Sequence, residues 1–308
     1  MSSARPRRRA VSLWCLTAAV GWLLAPAAPA LGQGRVSTKV ETVTTADGWT
    51  LPVSLTLPEG AGEDTPAVVL VHGEKESRKN WEGLATFLAG KGYAVLAPDL
   101  RRHGEAANPA ARGGDRVTPQ DYRAMVGLDM EAVKALLLDL HARKQINVRK
   151  LGLVAAEEGA PVALAFAFND WRKQPLPDAP VFANRTPTGQ DVRAVALLSP
   201  TDTVPGVNAT AAARPLSDDA LDVGFLVVVG ELDGQDEGDA EKLYNRFGGR
   251  RDDRAGRVAL AELPGIPLRG TRLLEDQVGD NVKGGLVAFL DKYVKDRPDP
   301  WRSRAGQL

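Results

Sequence analysis

A series of short, nearly unbroken apolar runs constrains this chain more than any other feature. They lie at 67–71, 93–97, 151–155, 192–198, 225–229 and 258–263. A strand wetted on one face alternates apolar and polar residues; a run such as Ala67-Val68-Val69-Leu70-Val71 needs burial on both faces. Stretches of helical periodicity separate the runs, at 81–88, 118–144, 159–168, 238–247 and 281–294. Thr118 and Pro119 supply a cap and a first-turn residue for the second of these. Strands alternating with helices imply a mostly parallel sheet with helices on both faces. Ahead of the runs, residues 36–57 alternate β-formers around Ala46-Asp47-Gly48, the pattern of an antiparallel hairpin. The spacing predicts about eight strands, with the hairpin at one edge and the 151–155 strand inside. Residues 171–190 are proline-rich and predict irregular structure.

The first 32 residues stand apart from this pattern. Arg5, Arg7, Arg8 and Arg9 precede an apolar stretch at 11–25, Pro26 interrupts it, and small residues follow at 28–32. That order predicts a cleaved export signal over 1–32 and one domain over 33–308. The apolar stretch is shorter than the roughly 20 residues of a membrane span, so no membrane anchor is expected after cleavage. Cys15, the sole cysteine, lies inside the signal. The exported chain would then carry no thiol, which excludes disulfides, thiolate metal sites and a cysteine nucleophile. A periplasmic or secreted bacterial protein fits this usage. Lys+Arg and Asp+Glu are equal at 39 each, so the charge balance gives no sign of nucleic acid as a partner.

In a sheet of this kind, ligands bind at the carboxyl ends of strands. His72-Gly73 closes the first apolar run and Trp81 opens the next helix; Asp99-Leu100-Arg101-Arg102-His103-Gly104 follows the second; Gly230-Glu231-Leu232-Asp233 follows the fifth. In order and spacing these segments resemble the α/β-hydrolase superfamily, in particular bacterial esterases and dienelactone-hydrolase-like proteins. The resemblance spans nearly the whole chain after residue 32. It implies an α/β-hydrolase fold with an eight-stranded, mostly parallel sheet, and a catalytic acid at Asp233.

The resemblance breaks at the reactive groups. The family sets G-x-S-x-G on a tight strand-to-helix turn. Here the strand runs into Ala155-Ala156-Glu157-Glu158-Gly159, so Glu157 takes the nucleophile position. The family's histidine would follow the last strand, where Arg269 precedes Gly270. Arginine stays protonated and cannot act as a base. If the elbow is kept, Arg269 is expected to bridge Glu157 and Asp233, turning a proton relay into an ion bridge. Glu74 and Glu158 are expected to add negative charge beside the oxyanion donors. No metal or cofactor is implied.

Three readings follow. The chain is a hydrolase homologue without serine-hydrolase activity, kept as a binding or structural protein; or it is an esterase-like hydrolase with a displaced set, Glu157 working with His72 or His103; or it is a carbohydrate- or peptide-binding module. The ligand in each case is an unidentified small molecule or protein in the cleft. His141, inside a long helix, reads as surface-exposed, and Ser199, followed by Pro200, reads as structural.

Overall fold

Residues 35–111, 114, 116–249 and 256–304 are described by a computed structural model. The expected export signal lies outside them. Strands β1 (Val36–Thr44) and β2 (Thr50–Pro58) form the antiparallel hairpin. They join β3 (Ala67–Val71), β4 (Ala94–Pro98), β5 (Leu151–Ala156) and β6 (Val192–Leu198). A two-stranded ribbon follows, β7 (Thr203–Val204) with β8 (Val207–Asn208). β9 (Gly224–Gly230) and β10 (Val258–Leu263) complete the main sheet. Its order is β1-β2-β4-β3-β5-β6-β9-β10. All pairings beyond β2–β4 are parallel. The eight-stranded sheet, the edge hairpin and the interior place of β5 match the expectation.

Side chains along each central strand feed two separate cores, which is why the runs are apolar throughout. In β3, Val69 and Val71 join one cluster while Val68 and Leu70 join the other. Each fully buried Val or Leu contributes about 2 kcal/mol. Helices α1 (Glu82–Gly90) and α7 (Asp276–Leu290) cover one face. On the other lie α2 (Pro119–Ala124), α3 (Met130–Ala142), α4 (Gly159–Arg172), α5 (Ala209–Leu216) and α6 (Asp239–Arg246).

The helix expected over 118–144 is interrupted. A single π turn, Met125–Asp129, separates α2 from α3. Such turns mark a local constraint, and here the constraint is Asp129. Its buried carboxylate accepts from Arg101 Nη2 at 2.6 Å, and Arg101 also reaches Asp47 at 2.8 Å. That pairing fixes the loop after β4 to the helix beneath it.

The carboxy-terminal segment lies across the amino-terminal ends of the central strands. Asn147 donates to Asp299 O at 2.8 Å and Arg149 to Pro300 O at 2.8 Å. Trp301 stacks on His141 with ring centroids 4.9 Å apart. Arg304 pairs with buried Asp191 and donates to Pro187 O. Asp191 and Asp170 also flank Lys134, whose Nζ lies 2.8 and 2.7 Å from them. His141 is therefore wholly buried, against the expectation of an exposed helical position.

Candidate functional site

β5 runs straight into a sharp turn. Glu157 holds φ at +48°, a left-handed conformation costly for any residue but glycine. Three backbone bonds hold it there: Glu157 N donates to Leu198 O at 3.1 Å, and its carbonyl accepts from Ala160 N at 3.0 Å and Thr201 N at 3.2 Å. Helix α4 begins two residues later. A Cβ at Gly159 would stand 2.5 Å from the carbonyl oxygen of His72, so only glycine lets α4 start this close to β3. The side chain of Glu157 is thus lifted above the carboxyl end of the sheet on a strained strand-to-helix elbow.

Two other strand ends converge on it. Asp233 follows β9 and is set by a turn in which its N–H reaches Gly230 O at 3.0 Å. Arg269 follows β10 and precedes the 3-10 turn Gly270–Leu274. Its Nε lies 3.2 Å from Glu157 Oε2, its Nη1 3.0 Å from Asp233 Oδ2, and its Nη2 3.3 Å from Thr201 Oγ1. The planar fork spans two carboxylates and a hydroxyl at once, which a lysine could not do. Gly270 lets the guanidinium loop pass beneath Glu157, because a Cβ there would stand 2.0 Å from Glu157 Oε1. Burial pushes the Glu157 carboxyl above its ordinary range, the charge of Glu158 adds to that, and Arg269 opposes it.

The backbone donors beside the elbow are occupied from within the chain. Gly73 N donates to Glu76 Oε2 at 3.1 Å, and Glu74 N donates to Glu158 Oε2 at 3.0 Å. Thr271 Oγ1 holds the other oxygen of Glu76. Glu158 thus stands beside these donors. Glu74 contributes its N–H rather than its carboxylate, which is exposed. The second carboxylate at the donors is Glu76, which the sequence reading missed. The space bounded by His72, Gly73, Glu158 and Gly159 is about 10 Å³, room for one water at most.

A family model for the alpha/beta hydrolase fold matches residues 66–250. The chain belongs to the α/β-hydrolase family. Epoxide hydrolase 3 of Siraitia grosvenorii is 32% identical over 103 residues, 33% of this chain, and the match spans 27% of that relative's length. Among solved structures, an esterase of Pyrococcus furiosus superposes with a TM-score of 0.57 at 18% identity, covering 84% of this chain and 92% of that one. A fungal esterase of Rhizomucor miehei gives 0.55 at 15% identity, with 86% of each chain covered. At such identities these structures speak to the fold.

In an α/β-hydrolase the elbow and the two following strand ends are the places for nucleophile, acid and base. The histidines of this member stand elsewhere. His72 Nδ1 donates to Gly73 O at 2.9 Å, while Nε2 accepts from Leu100 N at 3.1 Å. Both ring nitrogens are spent on backbone, and burial pushes the His72 imidazole down to about 4. His103 packs against it at 4.9 Å between centroids and bonds Arg101 O at 2.8 Å. His141 lies at the opposite end of the sheet, its Nε2 2.8 Å from Arg302 O. Ser199 is wholly buried at the end of β6.

A cleft of about 620 Å³ opens beside the elbow, at the ends of β3 and β4, lined in part by Trp49, Glu74, Lys75, Arg102 and Asn108. Trp49 is itself packed beneath Arg101 and Arg102, each 5.6 Å from its ring, and so offers no open aromatic platform. Among the described residues no cluster of three or more His, Cys, Asp or Glu could hold a metal ion. Among the same residues no helix is long and apolar enough to cross a membrane.

Proposed function

We propose that this α/β-hydrolase is an exported homologue without serine-hydrolase activity, retained as a binding or structural protein. One observation carries the reading: a permanently charged guanidinium, Arg269, ties the elbow residue Glu157 to Asp233 at 3.2 and 3.0 Å. Serine-type acyl transfer needs a hydroxyl whose proton passes to a neighbouring base. Glu157 offers no hydroxyl, and an ester formed on its carboxylate would still need a base to activate water, which Arg269, permanently protonated, cannot be. On the β3 side of the oxyanion position, the N–H groups of Gly73 and Glu74 already serve Glu76 and Glu158. The reading with His72 or His103 as a displaced base finds less support: both His72 nitrogens are engaged with backbone, and His103 packs on His72 with its Nδ1 bonded to Arg101 O. Export rests on the sequence pattern of residues 1–32.

The test is a fluorophosphonate probe together with a panel of p-nitrophenyl esters, applied to the purified protein and to Glu157→Ala. The expected result is no covalent labelling and equal, background-level ester turnover in both. Stoichiometric labelling at a serine, or turnover lost in Glu157→Ala, would overturn the reading.

A further inference from the structure

Among the described residues β1 ends the sheet, and its outer margin carries a sequence that complements itself. The strand is nine residues long, contains no proline and is largely exposed. In its ladder with β2, residues alternate between pairs that exchange hydrogen bonds and pairs that do not. One step past the register pair Thr44↔Thr50, Thr45 N donates to Trp49 O at 2.8 Å. Across β2, the carbonyl of Pro52 instead accepts from Asp99 N, and Thr50 pairs with Ala107. Odd-numbered residues of β1 therefore bond β2. Val36, Thr38, Val40, Thr42 and Thr44 direct their N–H and C=O groups outward, a margin ready to receive another strand.

The strand reads Val-Ser-Thr-Lys-Val-Glu-Thr-Val-Thr. Laid antiparallel on a second copy about a two-fold axis through Val40, all nine residues find partners. Val40 meets its own equivalent as a hydrogen-bonded pair, Thr38 meets Thr42, and Lys39 meets Glu41 twice. Lys39 Nζ already lies 2.5 Å from Glu41 Oε1 within one chain. The axis would turn that pair into a square of alternating charges. Moving the axis to Lys39 or to Glu41 sets like charges opposite each other, which is destabilising. Moving it to Thr38 or Thr42 shortens the overlap within the strand to five residues and takes Lys39 away from Glu41. Val40, 56% exposed on one chain, would come to lie at the centre of the seam.

We propose that β1 pairs with β1 of a second copy of this chain about a two-fold axis through Val40, so that one sheet runs continuously through a closed dimer. The occupant is chosen by charge: the margin offers one cation and one anion placed symmetrically about an uncharged residue, and the same strand supplies their complement.

Sedimentation velocity over a concentration series tests this. The wild-type protein is expected to sediment as a dimer. Lys39→Glu places acids opposite the partner's Glu41 at both crossings and should give the monomer. Adding Glu41→Lys restores opposite charges and should restore the dimer. Val40→Pro removes the central outward N–H, which makes no bond to β2, and should give a monomer of unchanged circular dichroism. A monomeric wild type overturns the proposal. So does a dimer that survives Lys39→Glu or Val40→Pro, or a double charge reversal that stays monomeric.

Discussion

Arg269 donates from Nη1 to Oδ2 of Asp233 at 3.0 Å, and the Asp233 side chain, only 3% exposed, is the most enclosed member of the bridge. Removing the guanidinium leaves that carboxylate shut away without a counter-charge. Breaking such a pair from one side costs far more than the pair itself contributes. Arg269→Met is expected to lower stability by about 3 kcal/mol in urea unfolding. Arg269→Lys should recover only part, since an ammonium cannot fork to Glu157, Asp233 and Thr201 together.

Glu157 titrates above its ordinary range in the folded protein, chiefly through burial and then through Glu158. An acid whose folded pKa is raised binds more protons folded than unfolded. Its contribution is fully present below the unfolded value, near 4.5, and is lost as pH rises through the folded one. Glu157→Gln cannot titrate. Its stability relative to wild type should therefore rise between pH 4 and pH 7, measured by denaturant unfolding at each pH. A difference that falls over this range contradicts the assignment.

His72 shifts the other way. Its imidazole is held neutral by burial, with a folded value of about 4 against 6.5 ordinarily. The unfolded chain binds the proton first, so stability drops as pH falls from 6.5 towards 4, by about 3 kcal/mol for this group. His72→Gln should unfold with a shallower acid dependence in that window.

Gly270 and Glu157 are coupled sterically. Gly270→Ala would set a methyl 2.0 Å from Glu157 Oε1 at a residue with φ of +56°. The expected cost is about 2–3 kcal/mol, from overpacking and backbone strain together. In a double-mutant cycle with Glu157→Ala, the overpacking part should vanish and the strain part remain, leaving a coupling of about 1 kcal/mol or more.

Reinstating Ser and His at the elbow should not by itself restore acyl chemistry. In Glu157→Ser with Arg269→His, the N–H groups of Gly73 and Glu74 still serve Glu76 and Glu158. Fluorophosphonate labelling is expected only when Glu76→Gln and Glu158→Gln are added, because a neutral amide releases backbone donors more readily than a carboxylate. Equal labelling of the double and quadruple variants would show that those carboxylates do not block the site.

The fold was legible because burial on both sheet faces forces continuous apolar runs, and β10 at Val258–Leu263 could be read to the residue. Local signals failed where distant residues decide. The π turn at Met125–Asp129 answers to Arg101, some 25 positions earlier in the chain. Helix α5 is only eight residues long, alanine-rich and contains Pro215, so a helix there is hard to tell from a loop in the sequence. The burial of His141 is imposed by Trp301 and Arg302. Within the site, Glu157, Asp233 and Arg269 could be placed because strand ends index them. Glu76, Thr201 and Thr271 could not, since their contacts exist only once three loops meet.

The strap that crosses the strand ends also makes the interior electrically complete. Asp170 and Asp191 are buried with a single cation, Lys134, until Arg304 arrives. Without the strap, two enclosed acids would share one ammonium, so water would have to reach them between the sheet and its helices. Arg304 thus acts as a clasp, closing the floor of the domain by balancing its charge as much as by covering it.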